Sequence, residues 1–201
     1  GKVDRVAVLI HYVSLDQAQA LVASGAKIDL HLELIGVLKT GDKVRESAVT
    51  RGLNFFMRYI TGLLTSKQVE NEWDDQIRRF QELFGRLPDG LNTHEHLHFF
   101  PDFSRVFVGL AKRYQISYVR FSQRGMIASQ NFNLISKALA LLWKRTAHLY
   151  RNQTFTTSDY LVSLDWVPDF ESFSRVVPTG SVELVVHLER EEDYRTILEY
   201  F

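Results

Sequence analysis

Apolar residues recur along the chain in two alternating periods. Val6 to Ile10 is a continuous apolar run, the pattern of a strand buried on both faces. Ser14 opens a helix to about Ser24; Gln17 completes a Ser-x-x-Gln capping box and Gly25 stops it. Ile28, Leu30, Leu32 and Leu34 then alternate with Asp29, His31 and Glu33, which predicts a strand with one apolar and one polar face. Residues 35–48 read as a loop, and two helices follow. The second starts at Thr65 with Gln68 as capping partner. Val69, Trp73, Ile77, Phe80 and Phe84 make its apolar stripe, and Gly85 ends it. Pro88-Asp-Gly90 is a turn, and Leu91 to about His96 is the next strand. Phe103, Val106, Phe107, Leu110, Ala111 and Tyr114 form a helix face. Ile116 to Phe121 reads as a strand and Phe132 to about Tyr150 as a helix. Residues 151–163 carry only a weak signal, for a short strand near Tyr160. A short helix is predicted around Phe170 to Val176 and a strand over Ser181 to His187. Glu191 to Phe201 is a closing helix, acidic at its start as the macrodipole favours.

Strands alternating with helices predict a parallel α/β sheet, open or closed. A length of 201 residues favours one domain, spanning 1–201. In such folds, active sites lie beyond the carboxyl ends of the strands. His31, His94, Arg120 and His187 are the chemically useful side chains at those ends.

Composition narrows the chemistry. Lys and Arg number 24, as do Asp and Glu, so the chain lacks the basic excess of a dedicated nucleic-acid binder. Cysteine is absent, which excludes disulfides, thiolate metal sites and a cysteine nucleophile. Any metal must therefore be held by His, Asp or Glu. The most apolar stretch, Leu134 to Trp143, carries Lys137 and is too short to span a bilayer. A cytoplasmic location is expected, and a homodimer is left open.

The segment Asn92-Thr-His-Glu-His-Leu-His98 stands out. Its imidazoles at His94, His96 and His98 share one face if the strand continues, and fan around the site mouth if it stops near His94. Imidazole is the commonest metal ligand, so this spacing favours a metal over a plain histidine-rich loop. His31 and His187 would each be weak alone. His11 reads as surface or supporting, and His148 as a structural cation late in a helix. Arg120 is open between oxyanion stabilisation, holding a carboxylate and a surface salt bridge. Phe99, Phe100 and Trp166 are candidates for stacking on a sugar ring, with at least two of them expected in the core or wall.

These motifs, in this order, resemble those of the YdjC-like carbohydrate deacetylases, which include the chitooligosaccharide deacetylases. Asp29-Leu-His-Leu-Glu-Leu34 is similar to that family's Gly-Leu-His-Leu-Asn-Leu strand. Leu91-Asn-Thr-His-Glu-His-Leu-His-Phe-Phe-Pro101 is similar to its Asp-Ser-His-Gln-His-Val-His-x-x-Pro signature, the specific element. Tyr114 to Arg120 and Gly180 to His187 resemble its Tyr-Gly-Ile-Pro-x-Val-Arg and Val-Glu-x-Met-Val-His-Pro-Gly segments. The resemblance implies a TIM-like, distorted β/α barrel. It also implies a divalent metal, Mg or Zn, held by one Asp and two His. His31 and His94 map onto the two histidine ligands. Glu95, His96 and His98 are supporting or alternative ligands, and His187 maps onto the catalytic His. The implied reaction is hydrolysis of the N-acetyl group of an amino sugar or short N-acetylglucosamine oligosaccharide.

Three positions depart from the pattern. Nothing matches the family's opening Asp-Asp-Phe-Gly; Glu95 stands for Gln, and Leu188 for Pro. The expectation is therefore a barrel incomplete at its N-terminus, in which the first strand corresponds to the family's second and the histidine pair lacks its carboxylate. Two other functions compete with the deacetylase. One is a non-catalytic sugar-binding relative, and the other is a phosphoesterase using the same histidines.

Overall fold

The computed structural model describes residues 3–34, 55, 57–127, 134–167 and 169–201. Six strands form one parallel sheet: β1 (Arg5–Val8), β2 (Lys27–Leu32), β3 (Gly90–Thr93), β4 (Tyr118–Met126), β5 (Thr156–Ser163) and β6 (Val182–Val185). Their order in the sheet is their order in the chain. The helices are α1 (Leu15–Ser24), α2 (Ser66–Phe84), α3 (Pro101–Arg113), α4 (Leu134–Tyr150), α5 (Phe170–Ser174) and α6 (Glu191–Tyr200). Helical backbone is also present at 57–60. The predicted loop over 35–48 lies outside the described residues. Among the described residues, no helix is long and apolar enough to cross a membrane.

Local chemistry sets the helix ends. Ser14 and Gln17 form the complete capping box of α1, and Thr65 and Gln68 that of α2. Gly25 and Gly85 end these helices at φ 72° and 66°, the left-handed conformation that costs glycine least. The outward faces of the central strands pack on the helix stripes. Ile28, Leu30 and Leu91 meet a core containing Trp73, Phe80 and Phe107.

The sheet curls into an open half of a β/α barrel. Strands β1 and β4 would lie about 14 Å apart in a flat sheet. Yet the Arg5 guanidinium sits 4.1 Å from the centre of the Tyr118 ring. Among the described residues, β1 pairs only with β2 and β6 only with β5.

Several predicted boundaries move; β1 ends at Val8 and β6 at Val185, each two residues short of the predicted end. Strand β3 stops at Thr93 instead of running to His96, because Glu95 and His96 adopt left-handed φ of 51° and 54° and the chain turns into a 3-10 segment, His94–Phe99. Strand β4 runs on to Met126, through register irregularities against β5 between Tyr118 and Gly125. Arg120 is therefore not at a strand end; it projects from the first half of a long strand.

Candidate active site at the barrel mouth

Inward-facing residues stack in layers set by strand register. Asp29, Gly90 and Tyr118 are mutual partners across β2, β3 and β4. The side chain of Arg5 reaches this layer. Its Nε donates to Asp29 Oδ2 at 2.8 Å and its Nη2 to Oδ1 at 2.5 Å. Gly90 makes room for the pair: a Cβ there would stand 2.6 Å from both Arg5 Nη2 and Asp29 Oδ1. Burial pushes the Asp29 carboxyl up, against the pull of Arg5. Glu183 on β6 accepts from the Tyr118 hydroxyl at 2.5 Å and from Arg120 Nε at 2.6 Å. Burial, with the Glu183 carboxylate next to it, drives the Tyr118 hydroxyl far up, so it stays a donor. Among the described residues, the terminal nitrogens of Arg120 have no partner.

One layer higher, His31 pairs in register with Asn92. The Asn92 side-chain oxygen accepts from His31 Nδ1, which puts the lone pair on Nε2. His31 Nε2 lies 3.3 Å from His94 Nδ1, with the rings nearly perpendicular at 87°. Burial, then the charges of Arg120, His94 and His187, lower His31 to about 3. It is thus a neutral imidazole, the form that binds a metal. Two imidazole nitrogens held about 2.0–2.1 Å from one tetrahedral ion stand about 3.3–3.4 Å apart. The pair therefore fits as two neighbouring donors to one cation. Among the described residues, no three His, Asp or Glu side chains group to hold a metal.

The other predicted histidines separate by role. Glu95 lies 3.8 Å from His94 Nε2, the nitrogen turned away from His31, so its carboxylate supports the ring from behind. His96 stacks on Phe99 at 5.3 Å and leans toward Trp166 at 5.9 Å. His98 is fully buried; the Thr93 hydroxyl donates to its Nδ1 at 2.7 Å and accepts from its backbone N–H at 3.1 Å. Held this way it pins the 3-10 segment to β3, and its lone pair is already used. His187 lies two residues beyond β6. Its N–H donates to Asp193 Oδ2 at 2.8 Å, and that same oxygen faces its Nδ1 at 3.8 Å. His11 lies beside Glu72 and Arg79 on α2. His148 Nδ1 bonds the Arg145 carbonyl oxygen on its own helix.

Sequence reasoning passed over Arg5, Tyr118, Glu183 and Asn92. For Arg5 and Glu183 the available signal was a charge on a strand otherwise built for burial, since such groups must be paired inside. Glu33 was recognised only as a polar neighbour. It is buried just after β2, where its N–H and C=O bond the Gln76 side chain; among the described residues its Oε1 lacks a hydrogen-bond partner. Burial, with the charge of Glu72 adding, raises it to about 7.

A sequence profile described as YdjC-like protein matches residues 1–196. The chain belongs to the YdjC-like family. A carbohydrate deacetylase of Danio rerio is 30% identical over 128 residues, covering 60% of this chain and 41% of that protein. A chitooligosaccharide deacetylase of Escherichia fergusonii is 29% identical over 118 residues, covering 55% of this chain and 45% of that protein. Each match therefore accounts for less than half of the relative's length. A crystal structure from Enterococcus faecalis, provisionally described as a cellobiose-phosphate cleavage protein, superposes with a TM-score of 0.57 at 20% identity. It covers 93% of this YdjC-like chain and 70% of its own, a likeness that concerns the fold alone.

Proposed function

We propose that this YdjC-like chain takes part in metal-assisted hydrolysis of the N-acetyl group of an amino sugar or short N-acetylglucosamine oligosaccharide. The observation that carries the reading is the His31–His94 pair, whose facing nitrogens stand at the spacing of two ligands on one ion. The names of the curated relatives support the same chemistry. His31 and His94 would hold the ion, and their nitrogen donors suit Zn better than Mg, which prefers oxygen. Bound there, a divalent ion supplies Lewis-acid polarisation and a water that ionises near neutral pH.

The chain's own residues account for the rest. Asn92 fixes the His31 tautomer, and Glu95 backs the far nitrogen of His94. Arg120, held by Glu183, offers its terminal nitrogens to the acetyl oxygen as negative charge develops there. In hydrolysis the water oxygen bonds to the carbonyl carbon and the C–N bond breaks. Acetate leaves, and the sugar nitrogen takes up a proton to depart as an amine. His187, with Asp193 behind its Nδ1, supplies that proton.

The test is acetate release from N-acetylated chitooligosaccharides by chelated protein with Zn or Mg added back. Turnover should return with the ion. His187→Ala should lose about 10²–10⁴-fold in rate while still binding it. Saccharide binding without acetate release would favour a non-catalytic sugar binder, and cleavage of phosphate esters instead would favour the phosphoesterase.

A further inference from the structure

At the mouth of the half-barrel, Trp166 is an aromatic residue with no part in the proposed chemistry. Of the three residues considered for sugar stacking, Phe99 is fully buried and Phe100 packs among Phe55, Tyr59 and Phe103. Trp166 differs. It lies in the 3-10 turn Leu164–Trp166 directly after β5, at the carboxyl ends of the strands where His31 and His94 sit, and it is only partly buried.

Its indole N–H also sets it apart. Trp73 donates to the Glu33 carbonyl oxygen and Trp143 to the Ser122 carbonyl oxygen. Among the described residues, the Trp166 N–H has no partner, and it is not a buried atom. The ring is backed from behind. His96 leans on it at 5.9 Å and is itself stacked on Phe99 at 5.3 Å, with 13° between planes. Phe99 meets Phe121 of β4 edge-on. A ladder of rings thus runs from the core to the mouth and ends in an indole with an open donor. The left-handed backbone at Glu95 and His96, which non-glycine residues seldom adopt, delivers His96 to this ladder two residues after His94. Such strain is retained where the position of a side chain matters.

We propose that Trp166 is a carbohydrate-stacking platform beside the His31–His94 pair. One pyranose ring lies on its indole face, and the indole N–H donates to a hydroxyl or acetamido oxygen of the same sugar. This rests on the proposed function for its choice of ligand, an N-acetylated saccharide. An indole offers a flat apolar face to the C–H side of a sugar and a donor at its edge, and both are present here.

The probe is di-N-acetylchitobiose, with cellobiose as the analogue lacking acetamido groups. In the wild-type chain the saccharide should shift tryptophan emission saturably and shield it from acrylamide, because Trp73 is fully buried and Trp143 is already bonded. By calorimetry, Trp166→Ala should weaken binding about tenfold, the worth of one aromatic contact. Trp166→Phe, which keeps a face but loses the N–H, should weaken it about threefold. Cellobiose should bind more weakly than the acetylated probe. Absence of saccharide binding by the wild-type chain overturns the proposal, as does unchanged affinity in Trp166→Ala. If Trp166→Ala fails to fold, unshielded emission in the wild-type chain with saturating saccharide decides against it. Acetate release is scored separately, so binding through Trp166 without release would leave the platform standing and remove the deacetylase reading.

Discussion

Glu33 and His31 should act on stability in opposite directions over the same pH range. Glu33 rises from 4.5 to about 7 in the folded chain, so folding favours its protonated form. Its contribution is complete below 4.5 and is lost as pH rises through 7. His31 falls from 6.5 to about 3, so folding favours its neutral form. That contribution is complete above 6.5 and is lost as pH falls toward 3. Near about pH 5.5 each group exchanges almost one proton on unfolding, giving slopes of about −1 and +1 kcal/mol per pH unit that oppose each other. Glu33→Gln removes the first and leaves the second. Relative to wild type, the variant should gain about 3 kcal/mol between about pH 4.5 and pH 8. The assay is urea unfolding of chelated protein at half-unit pH steps, scored as the variant-minus-wild-type difference so that all other groups drop out. His31→Asn should show a difference that slopes in the opposite sense at acid pH. A Glu33→Gln difference constant within about 0.5 kcal/mol across the range would show that the carboxyl titrates as in water, and the reasoning would fail.

Two further substitutions probe the interior. Glu183→Gln leaves the Arg120 charge without its carboxylate, and should cost about 3 kcal/mol in a urea titration. Tyr118→Phe added to it should cost less than it does alone, since both bonds end on Glu183; strict additivity would show that Tyr118 does not depend on Glu183. Gly90→Ala puts a methyl 2.6 Å from Arg5 Nη2 and Asp29 Oδ1 and should cost about 1–3 kcal/mol, read as a lower melting temperature; an unchanged melt would mean that the pair shifts freely.

The parts of the fold written locally were legible. Both capping boxes and both terminal glycines act as their residue types dictate, and the Val69–Trp73–Ile77–Phe80–Phe84 stripe is buried. The break after Thr93 was legible only as one of two readings, a strand that continues or one that stops near His94. His94, His96 and His98 keep the period of a strand, and only tertiary packing holds Glu95 and His96, neither a glycine, at positive φ. Strand β5 was weakly marked because Thr156 to Tyr160 is polar; it pairs between β4 and β6 and carries few of the apolar residues that announce a strand. At the site, His31 and His94 were paired through the family resemblance, with His31 weak on its own, whereas Arg120 stayed open between three roles. Its partner Glu183 lies 63 residues away and becomes a neighbour only once β4, β5 and β6 are side by side in the sheet.

The strand order has a consequence for how the chain acquires its shape. Every strand from β2 onward pairs with the one made just before it, so the sheet can grow in the direction of synthesis without waiting for a distant partner. The His31–His94 pair can form once β3 and its 3-10 turn have docked. The Arg120–Glu183–Tyr118 bonds cannot form until β6 arrives. A ribosome-bound chain that ends before Val182 would thus hold the two imidazoles together while the arginine below them still lacks its carboxylate, and the docking of β6 would supply it.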